Sequence, residues 1–115
     1  MKTFEDYLVN ENATIKEALV IIKNNKSRHA LLATEDSKIV GIVSEGDIID
    51  ALLKGSDLLS KVAPVANKSF IYLSSKDAND KEEILLKLHQ GILIIPVLNE
   101  HMNLIEIINY MDYLK

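Results

Sequence analysis

The sequence predicts an α/β (α+β) fold of two β-α-β-β-α repeats, related by a pseudo-two-fold axis and packed through their sheets. Three observations predict it. The stretch IVGIVSEGDIIDALL, which holds Asp47, returns in weaker form as LIEIINYMDYLK, with Asp112 standing 65 residues further on. The same offset pairs Leu19 with Ile84, Val20 with Leu85, Leu32 with Val97, Glu35 with Glu100 and Ile42 with Ile107, and no gap is needed. Each copy also carries one helical apolar stripe and a pair of strongly apolar strands. Two copies of one supersecondary unit normally bury their apolar faces against each other, and the seam between them suits a small ligand.

The elements follow in order. Phe4 to Leu8 reads as a short leading helix that packs Phe4, Tyr7 and Leu8 onto the core. Thr14 and Glu17 have capping-box spacing, and Ile15, Ala18, Leu19 and Ile22 then recur on one helical face until Asn24 and Asn25 end it. His29–Ala33 and Lys38–Val43 are expected strands around the polar turn at 34–37. Ser44 caps a helix that runs through Ile48, Ile49, Leu52 and Leu53 to Gly55. Residues 56–68 form a connection broken by Pro64, and Phe70–Leu73 reads as a short strand. In the second copy Asn79 with Glu82 repeats the cap, Ile84, Leu85 and Leu88 supply the stripe, and Gly91 closes the helix. Ile94–Leu98 and Leu104–Ile108 are strands, and Met111–Leu114 begins a last helix. The expected division is residues 1–62 for the first repeat with its leading helix and 63–115 for the second.

The chain's 115 residues suit one compact core shared by two half-size repeats. Apolar content of 48% and charged content of 26% are an ordinary globular balance. Absence of cysteine excludes a disulfide framework and thiolate metal sites, and fits a cytoplasmic home. A net charge of −4 argues against a generic grip on nucleic acid or anionic membrane. The apolar run near Ile92–Leu98 is too short to span a bilayer, and the acidic start of the chain does not resemble a signal peptide.

The order helix, apolar strand, turn, apolar strand, then Gly41-Ile42-Val43-Ser44-Glu45-Gly46-Asp47 and a helix resembles the cystathionine-beta-synthase (CBS) domain. Two such domains in tandem form a Bateman module. The second copy is degenerate: Glu106 replaces Gly41, Asn109 replaces Ser44, and only Asp112 is kept. A narrower likeness links EGDIIDALLKGSDLLSKV and KEEILLKLHQGILIIPVLNE to the regulatory CBS pair of bacterial sugar-1-phosphate nucleotidyltransferases. The Gly-rich opening of their catalytic domain is absent from this sequence.

The resemblance implies a regulatory module, not an enzyme, that binds an adenosine-containing ligand such as AMP, ADP, ATP or S-adenosylmethionine. It requires no cofactor. It implies Asp47 on the ribose diol, Ser44 and a helix N-terminus on the phosphate, and Arg28 beside them. Phe70, Ile71, Ile94 and Ile95 would form the adenine slot. A weaker second site would use Asp112, Asn109, Thr14 and Ile15; there Leu93 replaces Arg28 and Glu106 adds negative charge. One competent site, built on Asp47, is therefore expected. Implied partners are a second copy of the chain and an attached or partner sugar nucleotidyltransferase domain.

Three plainer alternatives stand beside these. Ser-x-x-Asp is also a plain helix cap, and Arg28 could be a solvated surface cation. The whole module could be a dimerisation part with no working ligand site. His29, His89 and His101 are not at metal-ligand spacing, and no catalytic constellation occurs.

Overall fold

A computed structural model describes residues 4–77, 79–90 and 92–110. The chain divides into two compact units, Met1–Phe70 and Ile71–Lys115.

The first unit opens with a 3-10 turn, Phe4–Tyr7, followed by β1 (Leu8–Asn10), α1 (Ile15–Asn25), β2 (His29–Ala33), β3 (Ile39–Ser44) and α2 (Glu45–Leu53). The leading helix is thus shorter than the sequence suggests, and a strand follows it at once. Of its apolar residues Tyr7 is buried while Phe4 stays 42% exposed. β1 joins β2 in parallel, Leu8 opposite Leu31, and β2 pairs antiparallel with β3, His29 opposite Ser44. Thr14 Oγ1 accepts the Glu17 N–H at 3.2 Å, the cap that starts α1. Ile15, Ala18 and Ile22 then bury one helical face against Ala30, Leu32, Val43, Ile48 and Val62. Lys26 turns left-handed at φ 58° and closes α1 by donating to Ile22 O. Gly55, at φ 115°, follows α2 and meets the conformation that only glycine adopts freely.

The connection after α2 belongs with the first unit. Ile15 N–H donates to Ser60 O and Val62 N–H to Ala13 O. Asn67 then pairs with Ile42 through two backbone bonds of 2.8 and 3.0 Å. These contacts tie residues 60–67 to the first unit, which runs to Phe70. They also explain Gly41, because a Cβ there would sit 3.3 Å from Ala66 Cβ and 3.4 Å from Asn67 O.

The second unit repeats the plan with β4 (Leu73–Ser74), a 3-10 turn, α3 (Lys81–His89), β5 (Ile94–Leu98) and β6 (Leu104–Asn109). Its core holds Leu73, Ile84, Leu88, Ile95, Val97 and Ile108. Strands β5 and β6 match β2 and β3 at the 65-residue offset to the residue, including a bulge before Ala33 and before Leu98 and a left-handed residue at Ser37 and Met102. The first strand and the helix do not keep that offset. Leu73 faces Val97 as Val9 faces Leu32. Asp80, not Asn79, caps α3, with its carboxylate accepting the Glu83 N–H at 3.2 Å. Buried Ile84 and Leu88 therefore take the places of Ala18 and Ile22. The gapless pairing of Leu19 with Ile84 is corrected by this slip, which the extra turn between β4 and α3 produces.

The expected strand Phe70–Leu73 shrinks to Leu73–Ser74. Ile71 and Tyr72 are more than 40% exposed, and the ladder to β4 starts at Val97, just past Pro96, which has no N–H to give. The expected helix end at Gly91 and the final helix Met111–Leu114 lie outside the described residues. Among the described residues no helix is long and apolar enough to cross a membrane.

Candidate functional site

Three of the expected residues meet at one corner of the first unit. Because β2 and β3 pair antiparallel with His29 opposite Ser44, the residue before β2 lies beside the residue after β3. Arg28 O accepts the Glu45 N–H at 2.8 Å, so Arg28 is fastened to the first residue of α2. Ser44 and Asp47 form a full capping box. Asp47 N–H donates to Ser44 Oγ at 3.0 Å, and Ser44 N–H donates to Asp47 Oδ2 at 3.1 Å.

The box does not exhaust the corner. Asp47 is exposed on the first helical turn, and its Oδ1 takes no protein hydrogen bond among the described residues. Of the first three amides of α2, those of Glu45 and Asp47 are taken, while Gly46 N–H has no acceptor within the helix. An open amide at a helix N-terminus carries partial positive charge and favours an anion. Arg28 is exposed, carries a full positive charge, and is fastened by its backbone to the same helix end. The corner thus offers a carboxylate oxygen for a diol, and an amide with a guanidinium for a phosphate. The cap leaves Asp47 Oδ1 and the Gly46 N–H open.

Sequence reasoning missed what holds this corner. Asn25 is fully buried. Its Nδ2 donates to Asp6 O and to His29 O, each at 3.0 Å, and its Oδ1 accepts the Ser27 N–H at 2.7 Å. Ser27 Oγ in turn donates to His29 O at 3.0 Å. The turn they hold is contorted, with Lys26 at φ 58° and Arg28 at φ 68°. An asparagine at a helix end reads in sequence only as a stop signal.

The other expected residues stand elsewhere. Thr14 Oγ1 is occupied by the α1 cap, and Ile15 is completely buried in the first unit's core. Phe70 is half-buried at the end of the first unit. Ile71 is 42% exposed at the start of the second, where Ile94 and Ile95 are buried in β5. The second unit repeats the backbone of the corner: Tyr110 N–H donates to Leu93 O at 2.8 Å, as Glu45 does to Arg28. The side chains differ, since Leu93 and Asn109 stand where Arg28 and Ser44 do; Asp112 lies outside the described residues.

A groove of about 580 Å³ also opens along α1 and β1, lined by Leu8, Val9, Thr14, Val20, Ile21 and Leu59 among others. Its walls are mainly apolar, and none of Arg28, Ser44 and Asp47 lines it. Among the described residues no group of three histidine, cysteine or acidic side chains could hold a metal ion. His29 Nδ1 lies 2.9 Å from Ser27 O, a packing role within its own turn.

Comparison with known proteins bears on the fold. The family model of the CBS domain matches residues 5–54. An uncharacterized protein of Helicobacter pylori strain J99 is 31% identical over 80 residues, which cover 70% of this chain and 23% of that protein. The chain therefore spans about a quarter of that relative's length. A CBS domain protein from Pyrobaculum aerophilum, solved in complex with AMP, superposes with TM-score 0.77 at 25% identity, covering 97% of this chain and 89% of that one. An AcuB protein from Vibrio cholerae, described as a putative acetoin utilization protein, superposes with TM-score 0.84 at 21% identity, covering 94% of this chain and 79% of that one. The fold is shared with the CBS domains of a transcriptional regulator from Streptococcus pneumoniae, which superpose with TM-score 0.78 at 16% identity, covering 98% of this chain and 91% of that one. The chain has the fold of a tandem CBS domain pair, and its residues 5–54 match the CBS family itself.

Proposed function

We propose that this chain is a regulatory module that binds an adenine nucleotide through the Arg28, Ser44 and Asp47 corner. One observation carries the reading. The Asp47 carboxylate oxygen and the free Gly46 amide stand at one helix N-terminus with capacity left after the cap is made, and the backbone of the exposed Arg28 is bonded to that same end. A diol and a phosphate are what that set recognises together. The AMP complex of the Pyrobaculum relative supports the ligand class. In the second unit Leu93 brings no charge, so the first corner is the competent one.

Binding regulates an attached or partner protein only through different affinity for two arrangements of the module. The relatives' greater length leaves room for such a domain. The sequence likeness makes a cytoplasmic sugar-1-phosphate nucleotidyltransferase the proposed partner. A second copy of the chain is a further partner, supported by Ile49, Leu53, Leu58 and Leu59, which are 46–82% exposed on and just after α2.

Titration calorimetry with AMP and with adenosine tests the ligand. One site per chain, at least about tenfold tighter for AMP, is expected from a charge-assisted phosphate contact. No heat with AMP, ATP or S-adenosylmethionine would leave a structural dimerisation module in its place. Light scattering of the same sample reads the dimer. Nucleotide-dependent activity of a sugar-1-phosphate nucleotidyltransferase carrying this module tests the partner.

A further inference from the structure

We infer that Asn25 is a positioning residue for the phosphate end of this site, an inference that rests on the nucleotide reading above. Its carboxamide is buried completely and spends three hydrogen bonds on three separate pieces of backbone. These are Asp6 in the leading turn, Ser27 in the turn before β2, and His29 at the start of β2. Between Ser27 and His29 stands Arg28 at φ 68°, a left-handed conformation that is unfavourable for a residue with a Cβ. Something must hold it there, and the Asn25 amide closes the turn on both sides of it. Ser27 adds a second tie, its hydroxyl donating to His29 O.

The consequence reaches the ligand corner through Arg28 itself. The same left-handed residue directs its carbonyl to Glu45 N–H and so sits against the N-terminus of α2. A continuous chain of bonds therefore runs from the leading turn, through Asn25, to Arg28 and the capping box. Among the described residues of the second unit no polar or charged side chain is buried as Asn25 is, and Leu93 stands where the first unit has Arg28.

Asn25 touches no ligand in this scheme, so its loss acts on the phosphate increment rather than on the nucleoside. The test is the ratio of AMP to adenosine affinity by calorimetry, for the wild type, Asn25→Ala and Ser27→Ala. Melting curves restrict the comparison to temperatures where each variant is folded. Asn25→Ala is expected to reduce the ratio about tenfold, equivalent to one lost charge-assisted contact, while adenosine affinity changes less than about twofold. Ser27→Ala removes one hydroxyl and gives a partial loss. Hydrogen exchange on the wild type supplies a readout without substitution: AMP slows exchange at Ser27 N–H, and adenosine does not. A folded variant that keeps the full ratio, or Ser27 exchange indifferent to AMP, overturns the positioning role and leaves the nucleotide reading standing. A wild type that binds neither compound overturns both.

Discussion

Asp47 serves the helix and, by our reading, the ligand, and the two services separate quantitatively. Asp47→Ala removes the Oδ2 bond to Ser44 N–H at 3.1 Å and a negative charge from the first turn of α2. An exposed hydrogen bond contributes about 0.5–1.5 kcal/mol and the charge about 0.3–1 kcal/mol, so the loss is about 1–2 kcal/mol. For a domain of this size that is a fall in Tm of about 3–10 °C. Asp47→Asn keeps an acceptor for Ser44 and loses only the charge, about 0.3–1 kcal/mol. Ligand binding ranks the same variants differently. AMP at about 100 times its dissociation constant adds about 2.7 kcal/mol to the wild type. That increment should disappear in Asp47→Ala and shrink in Asp47→Asn, since an amide cannot accept both ribose hydroxyls. Thermal melts of the three proteins with and without AMP decide the matter. An Asp47→Ala protein that is destabilised yet keeps its full AMP increment would show that the carboxylate is a cap and nothing more.

Three further outcomes follow from the geometry. Gly41→Ala sets a methyl 3.3 Å from Ala66 Cβ and 3.4 Å from Asn67 O, so the segment at Asn67 must shift by a few tenths of an ångström and amide exchange at Asn67 and Ile42 should speed up; unchanged exchange refutes the close approach. Arg28→Gly relieves a left-handed residue with a side chain, so its melting temperature should stay within a few degrees or rise while the AMP preference over adenosine falls about tenfold; a large fall in stability counts against that reading of the turn. Ile48→Ala opens a cavity beneath α2, where Ile48 is fully buried, and should cost about 2–5 kcal/mol in denaturant melts.

The strands and the ends of helices were legible because their signals are local. Polar turns at 34–37 and 99–103 break apolar runs, and both hairpins occur at the expected strands. Ser44 with Asp47 is a cap by spacing alone, and the structure closes it in both directions. What stayed hidden depends on partners distant in sequence. β1 is only three residues long and is a strand because β2 lies beside it. The slip of α3 against α1 was hidden because Leu19 matches Ile84 in size better than Ala18, whose buried place Ile84 takes. Which position is buried depends on where the cap falls, and both Asn79 and Asp80 are good caps. Asn25 was hidden for the same reason: its three partners lie in different segments, one of them 19 residues away.

The pairing of Asn67 with Ile42 has a consequence for solubility. β3 is one of the two outer strands of its sheet, and an outer strand with open amides recruits strands from other molecules. Here the chain's own backbone occupies that edge at its middle, and Gly41 lets it come close enough. On β6, the corresponding outer strand of the other sheet, the position matching Gly41 holds exposed Glu106, whose charge opposes pairing with a like neighbour. The two halves shield the same vulnerable border by different means, one with a strap of main chain and one with a carboxylate. Losing either guard should show first as aggregation during refolding.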